Sequence, residues 1–196
     1  YSRSRFYLYH DPVRNNYKVS DIQPLAIFEN LRGDLQKFYI GSLWSEVVIK
    51  TYAGGGDYAG VYHLLREGLE LLDGCENTKN LTVLALFLYR YIESLGYLPD
   101  FSSCSGCGAR LTDDAVWYLG GDGGMRCARC GNPDLPSLSA GARRYLLYAT
   151  SRRMTELLKV DLDAVSRAEL KRVMISLIQH VIGGPLNSVK SAGGIL

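Results

Sequence analysis

Two short cysteine pairs, CSGC from Cys104 to Cys107 and CARC from Cys127 to Cys130, restrict this chain more than any other feature. Nineteen residues separate Cys107 from Cys127, a spacing within the range of four-thiolate zinc sites. Each Cys-x-x-Cys turn lets two thiolates converge on one ion, and the glycines that follow, Gly108 and Gly131, open backbone conformations closed to residues with a side chain. Ala109 to Leu111 and Ala115 to Leu119 read as short strands. Gly120, Gly121, Gly123 and Gly124 around Asp122 supply a tight reversal. The expectation is a zinc ribbon held by Cys104, Cys107, Cys127 and Cys130. Four protein ligands leave no coordination position for water or substrate, so the Zn2+ is expected to be structural. The alternative of two disulfides needs an oxidising compartment. No signal peptide is visible and the fifth cysteine, Cys75, is left over, so a reducing, cytoplasmic setting is the expectation.

Charge is distributed unevenly. The whole chain carries a formal +2, too little to argue for a nucleic-acid partner by itself. Residues 31–103, however, hold six basic against nine acidic side chains, and residues 135–196 hold nine basic against four acidic. The basic charge therefore lies towards the C-terminal end. No apolar run reaches the ~18 residues a membrane span needs; the stretch from Leu81 to Leu88 is soon interrupted by Arg90. The chain opens at Tyr1 and not at methionine, which is the expectation for a fragment or a processed product.

The order of elements reads as follows. Ser4 to His10 and Asn16 to Ile22 are rich in β-forming residues around a Pro12-containing link, so residues 1–30 should form a β-hairpin. Its arginines and tyrosines interleave as in single-strand binders, but the reading preferred is an ordinary strand with aromatic cross-strand pairs. Leu31, Leu35, Phe38, Leu43 and Val47 recur at near-helical spacing, predicting one helix from Leu31 to Ala53 ended by Gly54 to Gly56. Asp57 should cap a second helix with a stripe of Val61, Leu64, Leu65, Leu69 and Leu72, stopping at Gly74. A third helix, opened by Thr78 or Asn80 and ended at Gly96, is apolar on nearly every side and should form the centre of the core. Ser139 should cap a fourth. Ser166 with Glu169 reads as a capping box for a last helix ending at Gly183 and Gly184, before a tail from Leu186 that should be frayed. The fold class expected is mainly α: a helical bundle in two parts, 31–103 and 135–196, with a zinc ribbon inserted at 104–134 and a hairpin in front.

Arg143, Arg144, Arg152, Arg153, Lys171 and Arg172 are the candidates for DNA phosphate contacts, the alternative being a solvated helix surface. Arg110, Arg126 and Arg129 flank the cysteines, where they either balance the net −2 of a zinc–tetrathiolate or reach a nucleic acid. His10, His63 and His180 are scattered, and Cys75 reads as a small, partly buried residue. Neither a G-x-x-x-x-G-K-[ST] loop nor a G-x-G-x-x-G after a strand is present, so no nucleotide pocket and no catalytic residue are expected.

In order, RFYLYH, DIQPLAIFENLRGDL, RYIESLGYLPDFSSCSGCGARL, RCARC, LPSLSAGARRYLL and the closing LIQHVIGGPLNSVKSAGGIL together resemble the RecO family of bacterial recombination mediators. SLGYLPDFSSCSGCG carries the likeness most specifically. The resemblance implies an N-terminal OB-fold, a helical domain and a zinc element set between helices. It implies binding to single- and double-stranded DNA, annealing of complementary strands, association with RecR and with the C-terminal tail of single-strand binding protein, and help in loading RecA, all without catalysis at the nucleoid. An OB-fold has five strands and two precede Leu25 here, so the hairpin is expected to be what is left of one. Two other classes compete. A ribbon-bearing adaptor or transcription regulator would bind a protein partner without touching DNA, and a sirtuin-like deacetylase would need the dinucleotide fingerprint that is missing.

Overall fold

The computed structural model describes residues 1–52, 58–110 and 122–196, and the backbone of 116–118. Strands β1 (Ser2–Asp11) and β2 (Asn16–Ile27) pair antiparallel as a two-stranded hairpin, longer at both strands than the propensity runs alone indicate. Its bulges lie between Arg3 and Ser4 and between Tyr7 and Leu8. Helices α1 (Glu29–Gly33), α2 (Leu35–Thr51), α3 (Tyr58–Gly74) and α4 (Asn80–Ser94) follow. Short strands β3 (Val116–Tyr118), β4 (Met125–Arg126) and β5 (Ser137–Leu138) form a sheet in the order β4-β3-β5. Helices α5 (Ala140–Ala149), α6 (Met154–Leu157), α7 (Ala164–Ile182) and α8 (Asn187–Ser191) complete the chain. The architecture is mainly α with a small ribbon between α4 and α5, as the sequence predicts.

Helix α4 is the centre of the core. Every residue from Val83 to Tyr89 is buried, and so are Tyr91 and Ile92; an apolar helix with no polar face has nowhere stable to lie but between other helices. α7 packs along it, with α2 and α3 on its other sides. Trp44 of α2 stacks on Phe87 of α4 at 4.2 Å between ring centroids.

Three sequence expectations are corrected. The single helix from Leu31 is two, because Asp34 is extended (φ −114, ψ 121), ends α1, and caps α2 through a bond from Lys37 N. That break changes the helical phase: Leu35 and Phe38 are exposed at 59% and 44%, while Ile40, Leu43, Trp44 and Val47 are fully buried. The predicted capping box at Ser166 is not used. Asp163 caps α7, accepting from Ser166 N, and Ser166 itself lies in the first turn with its hydroxyl on Asp163 Oδ2. The tail is docked and not frayed. Leu186 and Ala192 are buried, Gln36 Nε2 donates to Ile195 O, and Glu46 accepts from Asn187 N and Ser188 N at 2.8 Å each. Ser139 caps α5 as expected, and Gly183, at φ 76, ends α7 in the left-handed conformation. Asp57 and the glycines from Gly54 to Gly56 lie outside the described residues.

Candidate metal centre and basic face

The first knuckle closes with Gly108 N bonded to Cys104 O at 2.8 Å, Gly108 standing at φ +70. The second closes with Cys130 N and Gly131 N on Cys127 O, at 3.0 and 2.8 Å, with no left-handed residue required at Gly131. The turns are stitched together by Ser105 N to Met125 O and by Cys127 N to Cys104 Sγ at 3.3 Å. The four sulfur atoms then lie within 4.8 Å of one another, with Cys107 Sγ and Cys127 Sγ 3.8 Å apart. Tetrahedral coordination at about 2.3 Å per thiolate requires sulfur separations of roughly 3.8 Å. Four cysteines are thus positioned to bind a metal ion.

Electrostatics of the site agree. Burial opposes ionisation of Cys104, but the backbone N–H groups of Cys127, Cys107 and Gly106 outweigh it and hold that thiol down at about 6. Cys130 is pushed up to about 12, chiefly by its hydrogen-bonded neighbours Cys107 and Cys127. Thiols so crowded cannot all ionise without a cation between them, whereas a bound divalent ion removes the conflict. The environment is asymmetric: Cys104 is buried, Cys127 and Cys130 are half-buried, and Cys107 is exposed.

The ribbon is fastened to the helical body through its edges. β3 pairs with β4 (Trp117 with Arg126) and with β5 (Val116 with Leu138), and Leu138 is fully buried. Of the strands expected from sequence, 115–119 survives as β3, with positions 115 and 119 outside the described residues. The other is reduced to one bridge, Ser103 with Arg110, and Leu111 is outside them. Glu169 Oε2 of α7 accepts from Ser139 N at 2.8 Å, tying the end of β5 and the start of α5 to α7. Arg126 forms an ion pair with Asp122, and Arg110 and Arg129 are exposed.

The six basic candidates do not form one face. Successive helical residues point about 100° apart, and the structure turns Arg143 inward: it is 4% exposed and donates to Phe101 O, anchoring the segment before the first knuckle. Arg144, Arg152, Arg153 and Arg172 are exposed, and Lys171 is half-buried. Burial, and then the neighbouring Arg172, lower the Lys171 pKa. Arg152 lies over the Tyr148 ring, 4.3 Å from its centroid. Sequence reasoning passed over Arg90. Its guanidinium donates to Glu93 Oε2, Thr150 O, Ala149 O and Arg152 O, strapping the α5–α6 turn to α4. Nothing local signals that role, because the carbonyl partners are 59 to 62 residues away.

A helical body with a four-cysteine ribbon between two of its helices is thus the class of protein the fold and site define. The family model described as "Recombination protein O C terminal" matches residues 32–190. The chain belongs to the RecO family. It is 35% identical over 101 residues to the DNA repair protein RecO of Syntrophobacter fumaroxidans, covering 52% of this chain and 40% of that protein. With the DNA repair protein RecO of Caldanaerobacter subterraneus it shares 23% over 168 residues, 85% of this chain and 67% of that one. With that of Desulfatibacillum aliphaticivorans it shares 33% over 153 residues, 74% and 55% respectively. The chain spans between 40% and 67% of the length of these relatives. Among the described residues, no helix is long and apolar enough to cross a membrane.

Proposed function

We propose that this chain serves recombinational DNA repair as a mediator that binds and organises other molecules without catalysing a reaction. The observation that carries the reading is the family match over residues 32–190. In this reading the protein binds single- and double-stranded DNA and anneals complementary strands. It acts with RecR and the C-terminal tail of single-strand binding protein to help load RecA, at the nucleoid in the bacterial cytoplasm. Residues 1–30 belong to an OB-fold, 31–103 and 135–196 form the helical domain, and 104–134 form the ribbon. Cys104, Cys107, Cys127 and Cys130 hold a structural Zn2+, the ion that four thiolates at this spacing favour. Arg144, Arg152, Arg153, Lys171 and Arg172 contact phosphates. Arg143 is left out of that set because its guanidinium is committed to Phe101 O.

The test is the salt dependence of DNA binding, read by fluorescence anisotropy on the folded, zinc-loaded chain. Phosphate contacts release counterions, so log K should fall linearly with log salt, and Arg152→Ala or Arg172→Ala should each reduce the slope by about 1. A labelled peptide carrying the acidic tail of single-strand binding protein, run beside a scrambled control, reports the protein partner. A folded chain that binds neither DNA nor the peptide would overturn the mediator reading and leave the adaptor.

A further inference from the structure

We propose that the stripe Arg144, Tyr148 and Arg152 is a stacking platform for an unpaired base of single-stranded DNA, with the two arginines taking the flanking phosphates. The proposal rests on the nucleic-acid reading above and names the site and the form of the ligand.

Residues at i, i+4 and i+8 share one helix face, over a rise of about 12 Å. Helix α5 ends at Ala149, but the backbone keeps a helical turn beyond it, with Arg152 N bonded to Ala149 O at 3.2 Å, so Arg152 stays near that stripe. The opposite face of α5 is the structural one: Ala142, Arg143, Tyr145, Leu146 and Ala149 are buried there. Tyr148 is instead 46% exposed, and the Arg152 guanidinium lies over its ring at 4.3 Å. A planar cation layered on an exposed aromatic ring is half of a stack that a nucleobase completes. Arg144 commits its Nε to Ala140 O at 3.3 Å, one of five donors on a guanidinium.

Two further residues make the platform preorganised. Arg90 holds the carbonyls of Ala149, Thr150 and Arg152 against α4, and the Tyr89 hydroxyl lies 3.3 Å from Thr150 Oγ1. The turn that carries Arg152 therefore does not have to be ordered on binding. Glu156 lies 4.0 Å from Arg152 with both side chains about half exposed, a loose pair that a phosphate can displace, and Glu67 lines the same concavity as Arg152. Paired bases keep their faces covered by their neighbours in the duplex, so a stacking site of this kind selects unpaired nucleotides.

The experiment compares wild type, Tyr148→Ala and Tyr148→Phe for binding to an oligothymidylate and to an abasic strand of the same length, by fluorescence anisotropy at fixed salt. Tyr148→Ala should weaken oligothymidylate binding roughly 5- to 100-fold, the effect of one base–aromatic stack. It should leave the abasic strand and the salt slope unchanged, and Tyr148→Phe should bind as wild type. Wild-type affinity for oligothymidylate in Tyr148→Ala would overturn the platform while leaving phosphate binding in place. Equal losses on both strands would also overturn it, showing that Tyr148 only positions Arg152. A wild-type chain that binds neither strand would remove the nucleic-acid reading and the platform with it.

Discussion

Gly68 lies on α3 where that helix meets α2 and α4, and a Cβ there would stand 2.8 Å from Phe87 Cδ2 and 3.1 Å from Trp44 Cζ3. Phe87 cannot step aside, since it is stacked on Trp44 at 4.2 Å and faces Tyr91 at 5.9 Å in a nearly parallel arrangement. We expect Gly68→Ala to destabilise the protein by about 1–3 kcal/mol, although alanine is the better helix former by up to about 1 kcal/mol. A urea titration checks this: the midpoint should fall at unchanged slope, and a midpoint that rises would show that the ring stack slides. Gly68 sits inside the helical stripe with no local cue to its packing. The reason for it is a pair of rings 24 and 19 positions away in either direction, out of reach of any local rule. Lys37 makes the same point. A lysine on a helix reads as a solvated residue, but this one is 3% exposed and caps the end of α3, donating to Cys75 O at 2.7 Å and Asp73 O at 3.3 Å.

At the scale of elements, α8 is informative because five residues cannot hold a helix alone. Glu46 of α2 supplies what α8 lacks, accepting from Asn187 N and Ser188 N and pairing with Lys50 at 3.0 Å. Burial works against the Glu46 carboxylate, but those two N–H groups, helped by Lys50, hold it down at about 2. A depressed carboxylate pKa stabilises the folded state above the unfolded value, near 4.3, and that contribution is lost as pH falls towards about 2. Glu46→Gln should therefore cost about 1–2 kcal/mol at pH 7 and progressively less below pH 4. Hydrogen exchange of residues 186–196 in both forms checks it. Equal protection at pH 7 would remove Glu46 as the anchor. The frayed tail expected from sequence fails for the same reason, since the anchoring carboxylate is 141 residues away from Asn187.

For the molecule as a whole, the helical core and the ribbon rest on different forces. The core is apolar burial around α4, and the ribbon has few buried side chains, Cys104 and Met125 among the described ones. Its two knuckles converge on four sulfurs, so under the coordination proposed above the metal supplies most of its stability. Chelation, or Cys104→Ser or Cys130→Ser, should release the metal and strip amide protection from residues 104–134 while α4 and α7 remain protected. Metal analysis and hydrogen exchange read both halves of this expectation. Unchanged metal content and an unchanged melting curve in either variant would overturn four-thiolate coordination.

The sequence by itself determined the four-cysteine cluster, the central helix and the family, because each rests on information that is local. Ligand type and knuckle spacing are read within a few residues, and a run of consecutive apolar side chains has only an interior to occupy. Tertiary structure alone decided which of two adjacent arginines faces outward: Arg143 is drawn in by Phe101 O, and Arg144 is left in solvent. It also decided that the tail folds back on α2, with the Glu46 carboxylate on the backbone of Asn187. In each case the deciding atom belongs to a segment tens of residues away, and no periodicity within one helix carries that information.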